Sequence, residues 1–110
     1  MIGDRVTVVM DRPLGSAHPR YPDLIYPVNY GYVPGVLAPD GEEQDAYVLG
    51  VDRPLTQFTG VVIAVIHRMD DVEDKWVVAP EGWRFTREEI ASAVHFQEQC
   101  FQTEIEMGEE

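Results

Sequence analysis

The sequence predicts a mainly β protein of the α+β class, a small and strongly bent barrel of short strands with one helix laid against it. Short runs of β-branched and apolar residues recur between turn formers. The apolar period changes from two to about 3.6 residues only near the C-terminal end, and a capping box marks the change. At 110 residues the chain is near the common size of one domain, so a single domain over residues 1–110 is expected.

Arg5-Val6-Thr7-Val8-Val9-Met10 is rich in β-branched residues and runs into the turn formers Asp11-Arg12-Pro13-Leu14-Gly15-Ser16, so it reads as a first strand. The stretch from His18 to Tyr32 carries Pro19, Pro22 and Pro27, which exclude a helix and suit a central strand poorly. An extended, irregular segment is expected there. Ala46 to Val51, Gly60 to Ile66 and Trp76 to Ala79 are three further apolar runs of strand length. Thr86 and Glu89 form the capping box, and Phe85 with Ile90 fits the accompanying hydrophobic staple. Ile90, Val94, Phe101 and Ile105 recur at helical spacing, which predicts a helix over about 86–105 with Glu88, Glu98 and Gln102 facing water. The tetrapeptide Asp11-Arg12-Pro13-Leu14 recurs as Asp52-Arg53-Pro54-Leu55, which reads as two strand exits built on the same turn chemistry.

Composition excludes several function classes. Twenty acids against eight bases give a net charge of −12, which argues against nucleic acid and anionic membrane surfaces as partners. No run approaches the roughly 18 apolar residues of a membrane span. Met1 to Arg5 lacks the marks of a secretory leader, so a cytoplasmic protein is expected. The single cysteine, Cys100, excludes an internal disulfide framework or a multi-cysteine zinc site and is expected to be a packing residue. There is no Gly-x-Ser-x-Gly, Walker loop, His-Glu-x-x-His or full EF-hand loop.

The informative feature is where the acids lie. Asp40, Glu42, Glu43 and Asp45 fill one short window, and Asp70, Asp71, Glu73 and Asp74 fill another. Like charges about 4 Å apart repel by roughly 1 kcal/mol in water and about 4 kcal/mol at a surface-like dielectric. A bound hard cation relieves that repulsion, and Mg²⁺, Mn²⁺ and Ca²⁺ all favour oxygen ligands. For Asp40 a turn role in Pro39-Asp40-Gly41 competes with this reading; Asp45, which opens a strand, has no such alternative. Lys75 is the chain's only lysine and follows the second window directly. In a strand Glu73 and Lys75 would share a face, placing an ammonium beside metal ligands where a phosphate group would bind.

The run Tyr26-Pro27-Val28-Asn29-Tyr30-Gly31-Tyr32-Val33, followed by Leu37-Ala38-Pro39-Asp40-Gly41, closely resembles the stretch before the metal loop of soluble inorganic pyrophosphatases. Asp40 to Asp45 resembles that family's acidic loop, Pro54-Leu55 and Gly60 its next connection, and Asp70-Asp71 with Lys75 its second acidic motif. The resemblance covers about residues 20 to 80 and implies a five-stranded barrel of OB type that hydrolyses pyrophosphate to two phosphates with Mg²⁺, or Mn²⁺ in its place. It also implies a homo-oligomer. By the same resemblance Asp40, Asp45, Asp70, Glu42 and Glu73 would hold metal, with Glu42 also the base nearest the attacking water. Tyr30 and Lys75 would act on phosphate, and Tyr26, Arg20 and His18 would help bind it. The chain departs from the family pattern at several places. Glu42 and Glu73 stand where the family has aspartate, and the second motif is two residues shorter. Thr7 and Val9 replace a lysine and a glutamate, the family's arginine would fall near His18, and Phe101-Gln102 replaces a tyrosine and lysine pair. Arg12, Arg20 or His18 would have to stand in for the missing basic groups. The alternatives are a hydrolase of another phosphoanhydride, or a metal-binding or interaction module of the same fold without turnover.

Overall fold

A computed structural model describes residues 1–108 of the chain. In chain order the elements are β1 (Arg5–Arg12), β2 (Asn29–Leu37), β3 (Glu43–Val48), β4 (Gln57–Arg68), β5 (Asp74–Ala79), α1 (Arg87–Glu98) and β6 (Thr103–Met107). The sheet runs β1-β2-β3-β5-β4 and closes through a β1–β4 pairing, giving a five-stranded barrel of OB type, with β6 added to the outer edge of β4. β3 and β5 pair parallel; the other pairs are antiparallel.

Strand alternation, with a register shift in β4 between Val62 and Ala64, divides the apolar side chains between two cores. Val8, Met10, Val33, Ala46, Val48, Val62 and Val78 fill the barrel interior. Tyr26, Tyr30, Tyr47, Leu49, Ala64, Ile66 and Val77 face Ile90 and Val94 of the helix. Strands covered on both faces read as continuous apolar runs, which is why Val77, Val78 and Ala79 are all fully buried. Closure also requires β1 to cross β2 closely: a Cβ on Gly31 would lie 1.9 Å from the Val9 carbonyl oxygen, so only glycine fits there.

The helix begins as expected, with the Thr86–Glu89 capping box formed in both directions and Phe85 packed on the core that holds Ile90. It ends earlier than expected, at Glu98, and Thr103–Met107 is a strand. The spacing of Phe101 and Ile105 fits a helix, but Ile105 and Met107 also alternate with Glu104 and Glu106, and the free edge of β4 favours pairing. Glu98 does not face water; it is 4% exposed and bound to Arg68. Cys100 is exposed rather than packed. The segment from His18 is irregular as far as Val28, but Asn29–Leu37 is a central strand despite Pro34. Pro34 is tolerated because the β2–β3 register jumps between Val33 and Leu37, with Gly35 at φ +81°, so no ladder bond is asked of it.

The repeated tetrapeptide has a structural cause. The side-chain oxygen of buried Asn29 accepts from the backbone N–H of both Leu14 and Leu55, each at 3.0 Å, while its amide donates to the Arg53 carbonyl at 2.9 Å. One side chain thus holds both strand exits and, with them, the position of Arg12 at the end of β1.

Candidate active site

Between the barrel mouth and the end of α1 lies a cavity of about 490 Å³ lined by fourteen residues, among them Asp11, Arg12, His18, Tyr30, Asp45, Arg68, Glu73 and Lys75. A larger groove of about 800 Å³ runs between α1 and β6 past His67, Arg87 and Glu88, but it contains neither Lys75 nor a residue of the two acidic windows.

Each wall is placed by a specific element. β3 brings Asp45 opposite Tyr32, and β5, parallel to β3, delivers Lys75 beside it. The Lys75 ammonium, 3% exposed, donates to Asp45 at 2.5 Å and to Glu73 at 3.1 Å and lies 5.7 Å from the centre of the Tyr30 ring. Burial alone would lower the Lys75 pKa; Tyr30 and Asp45 outweigh it and raise the net value, so the ammonium stays charged. Burial raises the pKa of the Tyr30 phenol, which Lys75 only partly offsets, so Tyr30 acts as a neutral hydroxyl. Arg68, at the end of β4, is held by both oxygens of Glu98 (2.9 and 2.7 Å), by Glu73 at 3.1 Å and by Asp71 at 3.5 Å, with its guanidinium 3.8 Å over the Phe101 ring.

The bulge in β1 shapes the third wall. Met10 pairs with Gly31 and Arg12 with Tyr30, so Asp11 is the extra residue. Alternation would send Asp11 and Arg12 to opposite faces; the bulge lets both line the cavity. Burial raises the Asp11 pKa, and Arg12 opposes the rise.

The predicted residues fall into two groups. Asp45, Glu73, Lys75, Tyr30 and His18 line the cavity together. Tyr26 is fully buried behind it, donating from its hydroxyl to Gln97 and accepting from Arg12. Asp40, Glu42 and Asp70 do not line the cavity: Asp40 accepts from the Glu42 backbone N–H at 3.0 Å in the β2–β3 turn, and Asp70 accepts from that of Gln102 at 3.1 Å. Arg20 is exposed, its backbone N–H donating to His18 Nδ1 at 3.0 Å. Sequence reasoning missed Asp11, Arg68, Gln97 and Glu98. A polar or charged residue at a strand end or on a helix gives no sign of facing the cavity; for Asp11, exposed but cavity-lining, the sign would have been a bulge, which only the pairing reveals.

The carboxylates of this region are hard oxygen donors and suit Mg²⁺ by type. Among the described residues no three such groups lie close enough to enclose an ion. Asp45 and Glu73 come nearest, meeting at one ammonium, so a cation here would be held by few protein ligands, a pattern typical of Mg²⁺ that also binds waters and substrate phosphates.

The family model described as inorganic pyrophosphatase matches residues 7–99. An inorganic pyrophosphatase of Aeropyrum pernix is 38% identical over 66 residues, a stretch that is 56% of this chain and 38% of that protein. The chain therefore matches well under half the length of that relative. A crystal structure of an inorganic pyrophosphatase from Neisseria gonorrhoeae superposes with a TM-score of 0.61 and 26% identity, covering 86% of this chain and 72% of the other. One from Ehrlichia chaffeensis superposes with a TM-score of 0.70 at 16% identity, covering 94% and 85%, a likeness of fold.

Proposed function

Because the chain belongs to the inorganic pyrophosphatase family, we propose that it hydrolyses pyrophosphate, or a closely related small phosphoanhydride, to phosphate in the cytoplasm with Mg²⁺ as cofactor. The observation that carries this reading is the buried Lys75 ammonium between Asp45 and Glu73, beside Tyr30 in the wall of a cavity of about 490 Å³. A phosphoryl group seated there would meet a fixed positive charge and a neutral hydroxyl donor in a site of low dielectric, where both act most strongly.

Asp45 and Glu73 would hold the cation, with Asp40, Glu42 and Asp70 of the two flanking turns as further oxygen donors. When bound, a divalent cation lowers the pKa of water and neutralises charge on phosphate oxygens. Lys75 holds the phosphoryl oxygens, Tyr30 donates to one of them, and His18 closes the outer side. Glu42, exposed in the hairpin three residues before Asp45, is proposed to orient the attacking water and accept its proton.

Phosphate release from pyrophosphate with Mg²⁺ or Mn²⁺ tests this directly. Lys75→Met should abolish turnover, and Glu42→Gln should lower it by about 10²-fold or more. A wild type that releases no phosphate with either metal overturns the reading in favour of a binding module without turnover. That second reading has its own support: Thr7 and Val9 replace charged residues of the family pattern, and the cavity's Lys75 and Arg68 are already paired to carboxylates. A homo-oligomer is also proposed, joined through exposed apolar side chains such as Tyr21, Leu37, Val72 and Trp83. Light scattering that returns a mass near 12.5 kDa would count against it.

A further inference from the structure

A phosphoanhydride carries several negative charges, and the two most buried cations of the cavity share theirs with carboxylates. Resting on the reading above, we propose that Arg12 is a second phosphoryl-oxyanion-binding side chain of this cavity, beside Lys75. Gln97, on the last turn of the helix, is the positioning residue that holds it through Tyr26.

Four observations converge on Arg12. Among the described residues it lines the cavity without a carboxylate at ion-pair distance, whereas Lys75 is shared by Asp45 and Glu73 and Arg68 by Glu98, Glu73 and Asp71. The β1 bulge and the Asn29 bond to Leu14 fix the backbone that carries it. Its guanidinium lies 5.6 and 5.8 Å from the Tyr26 and Tyr30 ring centres, which hold the plane without neutralising its charge. Among the described residues only Nη1 is engaged by a side chain, donating to the Tyr26 hydroxyl at 2.6 Å, so donors remain for a bidentate contact to phosphate.

Gln97 enters through a hydrogen-bond chain with one allowed direction. Arg12 can only donate, so the Tyr26 oxygen accepts, and its O–H donates to Gln97 Oε1 at 2.6 Å. Gln97 Nε2 then donates to the Tyr47 oxygen at 2.7 Å, and the Tyr47 O–H donates to Glu98 Oε2 at 2.6 Å. A guanidinium at one end and a carboxylate at the other fix every hydrogen between them, and each bond polarises the next. Reversing the Gln97 amide would strand the Tyr26 hydrogen and take Tyr47 from Glu98. The helix end therefore sets the direction and reach of Arg12. Arg20 is excluded as the binder because it does not line the cavity.

The probe is methylenediphosphonate, a non-hydrolysable diphosphonate, titrated calorimetrically into the full chain with Mg²⁺. Arg12→Gln should weaken binding about 10- to 100-fold, as expected for loss of a charged hydrogen-bond donor. Arg5→Gln, the same charge change at the other end of β1 where Arg5 pairs with Glu81, should leave it within about twofold. Gln97→Leu should weaken binding about three- to tenfold, and the Arg12→Gln/Gln97→Leu double variant should bind no worse than Arg12→Gln alone. Tyr26→Phe interrupts the same chain at another point and should copy Gln97→Leu, so the proposal is testable even if Gln97→Leu does not fold. Binding within about twofold of wild type in Arg12→Gln, losses that add in the double variant, or no binding by wild type overturns the proposal. Phosphate release on the same samples separates it from the reading it rests on. Binding through Arg12 without turnover removes hydrolysis and leaves Arg12 standing; turnover with an unchanged KM in Arg12→Gln does the reverse.

Discussion

Glu98 joins the helix to the barrel by charge as well as by packing. Its carboxylate, 4% exposed, takes two bonds from Arg68 and one from Tyr47. A buried pair of this kind adds little net stability when intact, because desolvating both ions costs about as much as their attraction returns. Removing one partner is different. Glu98→Ala would leave Arg68 with Glu73 and Asp71, both partly exposed, and the Tyr47 hydroxyl without its acceptor. The expected loss is about 3 kcal/mol in urea unfolding, near the lower end for a broken buried pair. Glu98→Gln keeps the volume and one acceptor oxygen and should lose less. If Glu98→Ala unfolds within about 0.5 kcal/mol of wild type, Glu98 is a surface residue in practice, as its helical position suggests from sequence alone.

Elements were legible in proportion to how local their causes are. The capping box needs only Thr86 and Glu89, and the fully buried runs around Val48, Val65 and Val78 declare themselves as strands by composition. β2 was hidden because Pro19, Pro22 and Pro27 argue against a central strand for the stretch up to Tyr32, yet all three lie before Asn29, where the strand begins. The end of α1 was hidden because Ile105 satisfies two periods, and the choice between them depends on the edge of β4. In the site, Asp45, Glu73 and Lys75 were legible from spacing, while Arg68, Gln97 and Glu98 depend on contacts between the strands and the helix. His67 carries a prediction at this scale. It lies between Asp74 of β5 (3.2 Å) and Glu106 of β6 (2.8 Å), tying β4 to both neighbours. Its hydrogen bond to Glu106, with the charge of Asp74, outweighs burial and raises its pKa above the ordinary value. A raised folded-state value means the added stability is full below about pH 6.5 and is lost as pH rises through the folded pKa. The side chain is 35% exposed, so solvent screening holds the effect below about 1 kcal/mol. Melting temperatures taken across this range should fall for wild type relative to His67→Gln as pH rises; parallel curves would show that the tie carries no charge.

Across the whole molecule, a net charge of −12 on 110 residues disfavours the compact state by self-repulsion, and the parallel pairing of β3 with β5 brings the two acidic windows at their starts to one end of the barrel. Any cation screens this repulsion, so stabilisation by salt alone says nothing about a site. A site adds a term that depends on identity: a ligand at about 100 times its dissociation constant stabilises by about 2.7 kcal/mol, roughly 10 °C in melting temperature for a chain of this size. Mg²⁺ should therefore raise the melting temperature beyond NaCl at equal ionic strength. The contrast becomes specific with Asp45→Asn. Asp45 holds Lys75 and faces Glu73 across it, so the amide keeps the shape but removes the carboxylate both a cation and the ammonium use. The variant should keep the response to NaCl and lose most of the extra response to Mg²⁺. If wild type responds to the two salts alike, the acidic windows are solvated surface and Mg²⁺ is not this protein's cofactor. If Asp45→Asn keeps the full Mg²⁺ increment, the ion sits among Asp40, Glu42 and Asp70 in the turns and not against the Lys75 wall.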